Sequence, residues 1–322
     1  MMLRQWKLKF LAVALSATAA IAMALPASAS VILVNDTWLD GTDSDPASPV
    51  YSEMGGDFDS DGNSEAAWFQ GGDGTLDPVG AGGPLQGKFS TPTSGSSASW
   101  TTYFTQPGQE VELLNPGDEL KITWIFTPNN INNGGSNTSQ NFRLAVVDTP
   151  DASRLAANGA PGSASYTGYG MFMNMSGTLG NSNPFRLMER AGASGAMLSA
   201  SGDWSALANG ATSGNTGYVS GTEYTYTMTI TRNAASGLDI VSRMAGGSLD
   251  NDGVAEVSFT DPTPNNGSFK FDTFSLRPSG ATTTAETFST RLFKVEAPVP
   301  EPATVALVGL AGLGLVGLRR RS

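Results

Sequence analysis

The chain has no cysteine and no histidine. Without cysteine there is no disulfide framework, no thiolate metal site and no Cys nucleophile. Without histidine there is no imidazole base, no His-based triad and no His metal ligand. Charge is scarce and one-sided: charged residues make up 15% of the chain, with 18 Lys+Arg against 29 Asp+Glu and a net charge of −11. That shortage of cations speaks against nucleic acid as a partner, because phosphate binding needs clustered Lys and Arg. Turn chemistry, by contrast, is abundant. The 39 Gly and 18 Pro argue against a helical bundle, and 39% hydrophobic residues leave enough for a folded core.

Both ends read as addresses and are set aside before fold reasoning. Arg4, Lys7 and Lys9 form a basic start, followed by the apolar run LAVALSATAAIAMAL and then Pro26-Ala27-Ser28-Ala29. Ala27 and Ala29 are the small residues of an A-x-A cleavage site, so residues 1–29 read as a signal peptide and the mature chain starts near Ser30. At the other end stands VPEPATVALVGLAGLGLVGLRRRS, with three parts in order. Pro300, Glu301 and Pro302 come first, then an apolar helix at about 303–318, then Arg319, Arg320 and Arg321. At ~1.5 Å per residue the apolar part crosses a ~30 Å hydrocarbon core only marginally. The arginines would hold its end at the cytoplasmic face.

This tripartite tail, residues 297–322, resembles the PEP-CTERM sorting signal of exported bacterial proteins, which exosortase-type membrane enzymes process. The tripeptide, the helix and the basic end match in order and length. The resemblance implies a Gram-negative envelope, surface display or release, and transient membrane anchoring through the helix before processing. It also implies an exopolysaccharide-rich setting. Such tails occur on unrelated domains, some ice-binding proteins among them, so this one implies an address and no activity. Without the two ends the body carries a net charge near −16, which keeps it soluble and repels anionic polymers unless divalent cations intervene.

Residues 30–296 read as one domain whose apolar pattern has the strand period of two. Leu120, Ile122, Trp124 and Phe126 alternate with Lys121, Thr123 and Thr127, and Tyr224, Tyr226, Met228 and Ile230 with Thr225, Thr227, Thr229 and Thr231. Further strands are expected at 31–35, 99–105, 142–148, 168–175, 185–190, 238–244, 255–260, 268–276 and 288–296. No window holds an amphipathic helix. The expected fold is all-β, a two-sheet antiparallel sandwich flanked by the signal peptide and the C-terminal apolar helix. The segment order, from DTWLDGTDSDP through SWTTYFT, PGDELKITWIF, FRLAVVD and EYTYTMTITR to FKFDTFSL and FKVE, resembles the concanavalin A-like lectin/glucanase jelly roll. That resemblance implies a jelly-roll topology and leaves the activity open.

Enzymes of that class that cut β-glucans place Glu and Asp at alternate positions of one strand, so that a pair shares a face. Neither E-x-D-x-E nor E-x-D-x-x-E occurs, and Glu110-Val111-Glu112 reads as a solvated strand end. No catalytic residue is assigned. The sharpest motif is Asp57-Phe58-Asp59-Ser60-Asp61-Gly62-Asn63-Ser64-Glu65. Asp57, Asp59, Asp61 and Glu65, with the Asn63 carbonyl, match the first part of an EF-hand-type loop and point to a structural Ca²⁺. Trp68 stands where such loops carry a last acid, so either Asp73 or Asp77 completes the set or the affinity is low. Asp250-Asn251-Asp252-Gly253 reads as a hairpin turn. The threonines at 225, 227, 229 and 231 read as an ordinary strand face. Trp100, Tyr103, Tyr166, Tyr169, Trp204 and Tyr218 are candidate sugar-stacking rings or packing residues. Asp272 sits where the apolar phase flips, which predicts a bulge or a twist at Asp272-Thr273, with an ion ligand as the weaker reading.

The functional expectation is an exported, exosortase-sorted surface or matrix protein, non-catalytic, that binds glycan or another envelope polymer. A glycosidase or polysaccharide lyase is one alternative, and a purely structural or ice-associated surface protein is another.

Overall fold

The computed structural model describes residues 30–39, 41, 51–58, 60–79, 86–91, 98–132, 138–192, 195–264, 267–279 and 283–299. The expected signal peptide with Ala27 and Ala29, Asp59, and the tail with Pro300, Glu301, Pro302 and Arg319–Arg321 lie outside the described residues. Among the described residues, seventeen strands follow one another. They are β1 (Ser30–Asp36), β2 (Trp68–Gly71), β3 (Thr75–Val79), β4 (Gln86–Ser90), β5 (Ser99–Tyr103) and β6 (Val111–Glu112). Then come β7 (Glu119–Asn129), β8 (Phe142–Asp148), β9 (Thr167–Met173), β10 (Phe185–Arg190), β11 (Trp204–Gly210) and β12 (Tyr224–Arg232). The last are β13 (Leu238–Ala245), β14 (Val254–Asp261), β15 (Lys270–Phe271), β16 (Thr273–Pro278) and β17 (Thr287–Pro298). Short 3₁₀ turns stand at Asp151–Ser153, Ser201–Asp203 and Leu249–Asn251. No helix among the described residues is long and apolar enough to cross a membrane.

The strands form two antiparallel sheets. One runs β14-β13-β12-β7-β17-β4-β3, with β1 also on β17; the other runs β11-β10-β9-β8-β16-β5-β2. β15 and β6 make a separate pair. This is the expected all-β two-sheet sandwich. Its register follows from the alternation in sequence. Phe293, Trp124, Tyr226, Met244 and Ala255 stand opposite one another across five strands and are all buried. One residue along, Lys294, Thr123, Thr227, Arg243 and Glu256 make the matching outer row. A period of two puts neighbours on opposite faces, so one row fills the core while the next meets water. The threonines of β12 lie on that outer face beside Lys121 and Arg243, which interrupt any flat threonine array.

Between the sheets lies an aromatic layer. Trp68 meets Phe89, Phe274 and Phe293 at centroid distances of 5.1, 6.1 and 5.1 Å. Trp124 stacks on Phe126 at 3.9 Å and donates its indole N–H to Thr290 Oγ1 at 2.9 Å. Short, polar or Gly/Pro-bearing strands escaped the periodicity: β2, β3 (TLDPV), β4 (QGKFS), β6 and β11 (WSALANG). Such strands show too few alternations to read, and their partners stabilise them more than their own pattern does. β13 and β14 pair as the hairpin expected at 250–253, through a longer connection that holds the 3₁₀ turn. Asp250 and Asn251 there bond the backbone N–H groups of Thr212 and Thr216 at 2.8 and 3.0 Å.

Phe274 is fully buried and touches Trp68 of its own sheet and Trp124 and Phe293 of the opposite one. Phe274→Ala should cost about 3–5 kcal/mol, read as a lower urea midpoint at unchanged slope. A loss below ~1 kcal/mol would show that the layer closes around the gap.

Candidate functional site

The acidic loop hangs on β1 and is closed by a bridge between Ser52 and Ala66. Its organiser is Glu53, only 3% exposed. The Glu53 carboxylate accepts the N–H of Phe58 at 2.5 Å and of Glu65 at 2.9 Å, tying both arms of the loop together. Ser64 Oγ donates to the Leu33 carbonyl at 2.8 Å and anchors the loop to β1. Gly62, at φ 98°, turns the chain so that its N–H reaches Asp57 Oδ2 at 3.2 Å. Asp61 Oδ1 accepts the Asn63 N–H at 2.7 Å. The Asn63 side-chain amide stands between Asp61 Oδ2 and Glu65 Oε1, donating at 3.2 and 3.1 Å. The described members of the expected calcium set, Asp57, Asp61, Asn63 and Glu65, therefore share one loop, in which the Asn63 amide bridges two of the carboxylates. Trp68 belongs to the core, and Asp73 and Asp77 are exposed. Nothing in the sequence pattern singled out Glu53, whose role depends on a fold that returns Glu65 to it.

A second acidic group is assembled from distant segments. Asp272 is the bulge that the phase flip predicted: its N–H bonds the Val147 carbonyl at 3.0 Å, while the next residue, Thr273, also stands opposite Val147. The Asp272 carboxylate is fully buried, and Arg154 Nη2 donates to it at 2.7 Å. The Thr149 N–H donates at 2.9 Å, and the Thr273 hydroxyl adds a short bond. Burial pushes the Asp272 carboxyl up to about 7, against the pull of Arg154. Oxygens of Glu110, Asp148 and Asp272 all lie within 4.8 Å of one another. Burial, and then the nearby Glu110 carboxylate, raise Asp148 above its ordinary range. Two cations already attend this group: Arg154 on Asp272, and Lys270 at 3.9 Å from Glu110. Arg154 also donates to the Thr105 carbonyl at 2.6 Å and lies 5.1 Å from the Tyr103 ring centre. The arrangement is a charge knot of three carboxylates and two cations that ties distant segments together. Asp272 was legible as a bulge; Glu110, Asp148 and Arg154 carry no local signal of meeting it.

The six candidate stacking rings, Trp100, Tyr103, Tyr166, Tyr169, Trp204 and Tyr218, are at most 5% exposed and serve as packing residues. Among the described residues the exposed aromatic is Phe58, at 64%. A cavity of about 240 Å³ opens where β1 begins and β17 ends, lined by Val31, Leu33, Thr105, Glu110, Leu114 and Pro298 among others. Ser30 and Pro298 stand opposite each other there, so the expected mature start and the approach to the tail share one corner.

A family model described as the PEP-CTERM protein-sorting motif matches residues 298–321. The chain carries a PEP-CTERM sorting motif. It marks an exported, exosortase-sorted surface protein of a bacterium, as the tail resemblance implied. The PEP-CTERM match starts at the last residue of β17, so the motif follows the sandwich directly. Among solved structures, the chain is similar to the carbohydrate recognition domain of Emp47p, at 14% identity and TM-score 0.39, covering 72% of this chain and 89% of that one. It is also similar to the exoplasmic/lumenal domain of VIP36 in a Ca²⁺/Man3GlcNAc-bound form, at 11% identity and TM-score 0.42, covering 74% and 87%. Lectin II from Ulex europaeus follows at 11% identity and TM-score 0.36, covering 72% and 93%. No curated protein sequence matches the chain.

Removing one partner of a buried ion pair strands the other charge. Arg154→Ala should therefore lower stability by about 3–5 kcal/mol at neutral pH, measured by chemical denaturation. A change under ~1 kcal/mol would mean that Asp272 is held neutral without its partner.

Proposed function

We propose that this is a non-catalytic surface or matrix protein of a Gram-negative envelope, exported through its signal peptide and sorted through its PEP-CTERM tail, which binds glycan or another envelope polymer. The observation that carries the reading is the sorting motif abutting β17. With so short a connection, the sandwich stays close to the membrane until the tail is removed. A non-catalytic role is supported by the charge knot. Its three carboxylates are the described group dense enough for acid–base work, yet Asp272 is sealed from solvent and both cations pair with it or with Glu110. A glycosidase needs two carboxyls that face a substrate from opposite sides.

Processing is read by intact mass. In the native host, the surface fraction should contain a species that starts near Ser30 and has lost the segment after Pro300–Glu301–Pro302. A species that still holds Arg319–Arg321 would show a plain membrane anchor.

We also propose that Asp57, Asp59, Asp61 and Glu65, with the Asn63 carbonyl, hold one structural Ca²⁺. The support is electrostatic. Closely spaced carboxylates in a chain this acidic repel one another unless a cation intervenes, and the Gly62 turn lets the loop wrap around it. Binding would require the Asn63 amide to leave its place between Asp61 and Glu65. With Trp68 in place of the final acid, the affinity should be of the extracellular kind, roughly 10⁻⁴–10⁻³ M. Melting of the full-length protein in EDTA and in millimolar calcium tests this. A rise in Tm with calcium that Asp59→Ala/Asp61→Ala abolishes is expected. No shift in wild type would leave the loop an acidic turn.

A further inference from the structure

We propose that the corner where β17 ends is a lipid-contact surface, seated in the headgroup layer of a bilayer with ammonium-bearing headgroups for as long as the tail is uncut; this rests on the membrane-anchoring reading of the tail above. The connection fixes the distance. Four residues, Val299 to Pro302, separate the end of β17 from the apolar run at 303–318. Fully extended they span at most ~14 Å, at up to ~3.6 Å per residue. Read as a helix, the sixteen apolar residues of the run rise ~24 Å, which falls ~6 Å short of a ~30 Å hydrocarbon core. With Arg319, Arg320 and Arg321 held at the cytoplasmic face, the connection has to make up that shortfall. Pro298 then stands at most ~8 Å above the hydrocarbon, and the headgroup layer is itself ~5–8 Å deep. A folded corner held so close is in contact with lipid.

The surface at that corner is apolar at its centre and acidic at its rim. The cavity of about 240 Å³ opens there, with Val31, Leu33, Leu114, Ala297 and Val299 in its wall. Leu114 is 66% exposed, and Ile32, between the two β1 residues of that wall, is 42% exposed. An exposed leucine is ordinary by itself; here the exit of the tail beside it supplies what covers it. The rim selects the headgroup. Glu112 lines the same cavity, is exposed and makes no ion pair among the described residues. The ammonium of an ethanolamine or choline headgroup suits that carboxylate, whereas a body near −16 opposes an anionic lipid surface.

The chain has no cysteine, so one introduced thiol carries a label at a single place. Leu114→Cys puts an environment-sensitive fluorophore at the corner, on a side chain exposed enough to leave Tm unchanged. Val219→Cys is the control. Val219 is 48% exposed, and the nearby Gly221 N–H bonds the Pro128 carbonyl at 2.9 Å. That is the end of β7 away from Lys121, which stands opposite Glu296 of β17. Full-length protein, shown by intact mass to keep its tail, is reconstituted into phosphatidylethanolamine/phosphatidylcholine vesicles and floated with them. The label at 114 should shift to the blue and be quenched by spin-labelled lipid, and the label at 219 should do neither. The shift should shrink in phosphatidylglycerol vesicles at low salt without divalent cations. If the protein floats while the label at 114 stays in water, the corner stands clear of lipid and this inference fails, with the anchoring reading intact. Protein that does not float overturns the anchoring reading and this inference with it. Equal shifts at 114 and 219 show general adsorption and overturn the corner. A shift as large in phosphatidylglycerol overturns the choice of headgroup.

Discussion

Burial of an aromatic layer between two sheets is the constraint on which this molecule depends. No disulfide can staple the sandwich, so tertiary stability comes from packing and from the ladders. Trp68, Phe89, Phe274 and Phe293 interlock across the gap, and Trp124 with Phe126, Phe142 and Phe288 extends the layer. Every strand that contributes a ring must present it in register, because a slip of one residue would turn the whole row outward. The outer rows of threonine and charge are the counterpart of that inner row.

The strand at the centre of this arrangement is the last one. β17 lies between β7 on one side and β4 and β1 on the other. The larger sheet therefore cannot close until residues 287–298 are in place, and the sorting motif begins where they end. Folding and sorting meet at one corner, where Ser30, the expected mature start, faces Pro298. An acidic exported domain with its address beside its central strand brings the two expected processing points together.

Electrostatics divides the molecule in two. Around Asp272, carboxylates from three segments are gathered, Arg154 pairs with Asp272 and Lys270 with Glu110, and solvent is excluded from the innermost of them. In the loop at 51–66 the carboxylates of Asp57 and Asp61 serve backbone N–H groups at the surface, and buried Glu53 shapes the loop from below. The first group holds the fold together. The second presents a ring and oxygen atoms to whatever lies outside.

Local pattern sufficed for the long strands. β7, β12, β13 and β17 alternate over enough residues that their inner faces are fixed by period alone, and the phase break at Asp272 foretold its bulge. The tail, too, is a linear signal, legible because a sorting enzyme reads contiguous residues. Composition excluded disulfide and imidazole chemistry outright. Other features needed the third dimension. β3, β4 and β11 are strands because neighbours supply their hydrogen bonds, and no period within them says so. Arg154 finds Asp272 across 118 residues, and Glu53 finds Glu65 because β1 and a bridge at Ser52–Ala66 fold the loop back on itself. Exposure is the clearest case. Six aromatic residues read as packing for the most part, with sequence unable to say which stood exposed, and burial claimed all of them, while Phe58, inside a motif noted for its oxygens, stayed outside. Periodicity encodes which face of an element turns inward, but the exposure of a single ring depends on what the rest of the chain brings to cover it.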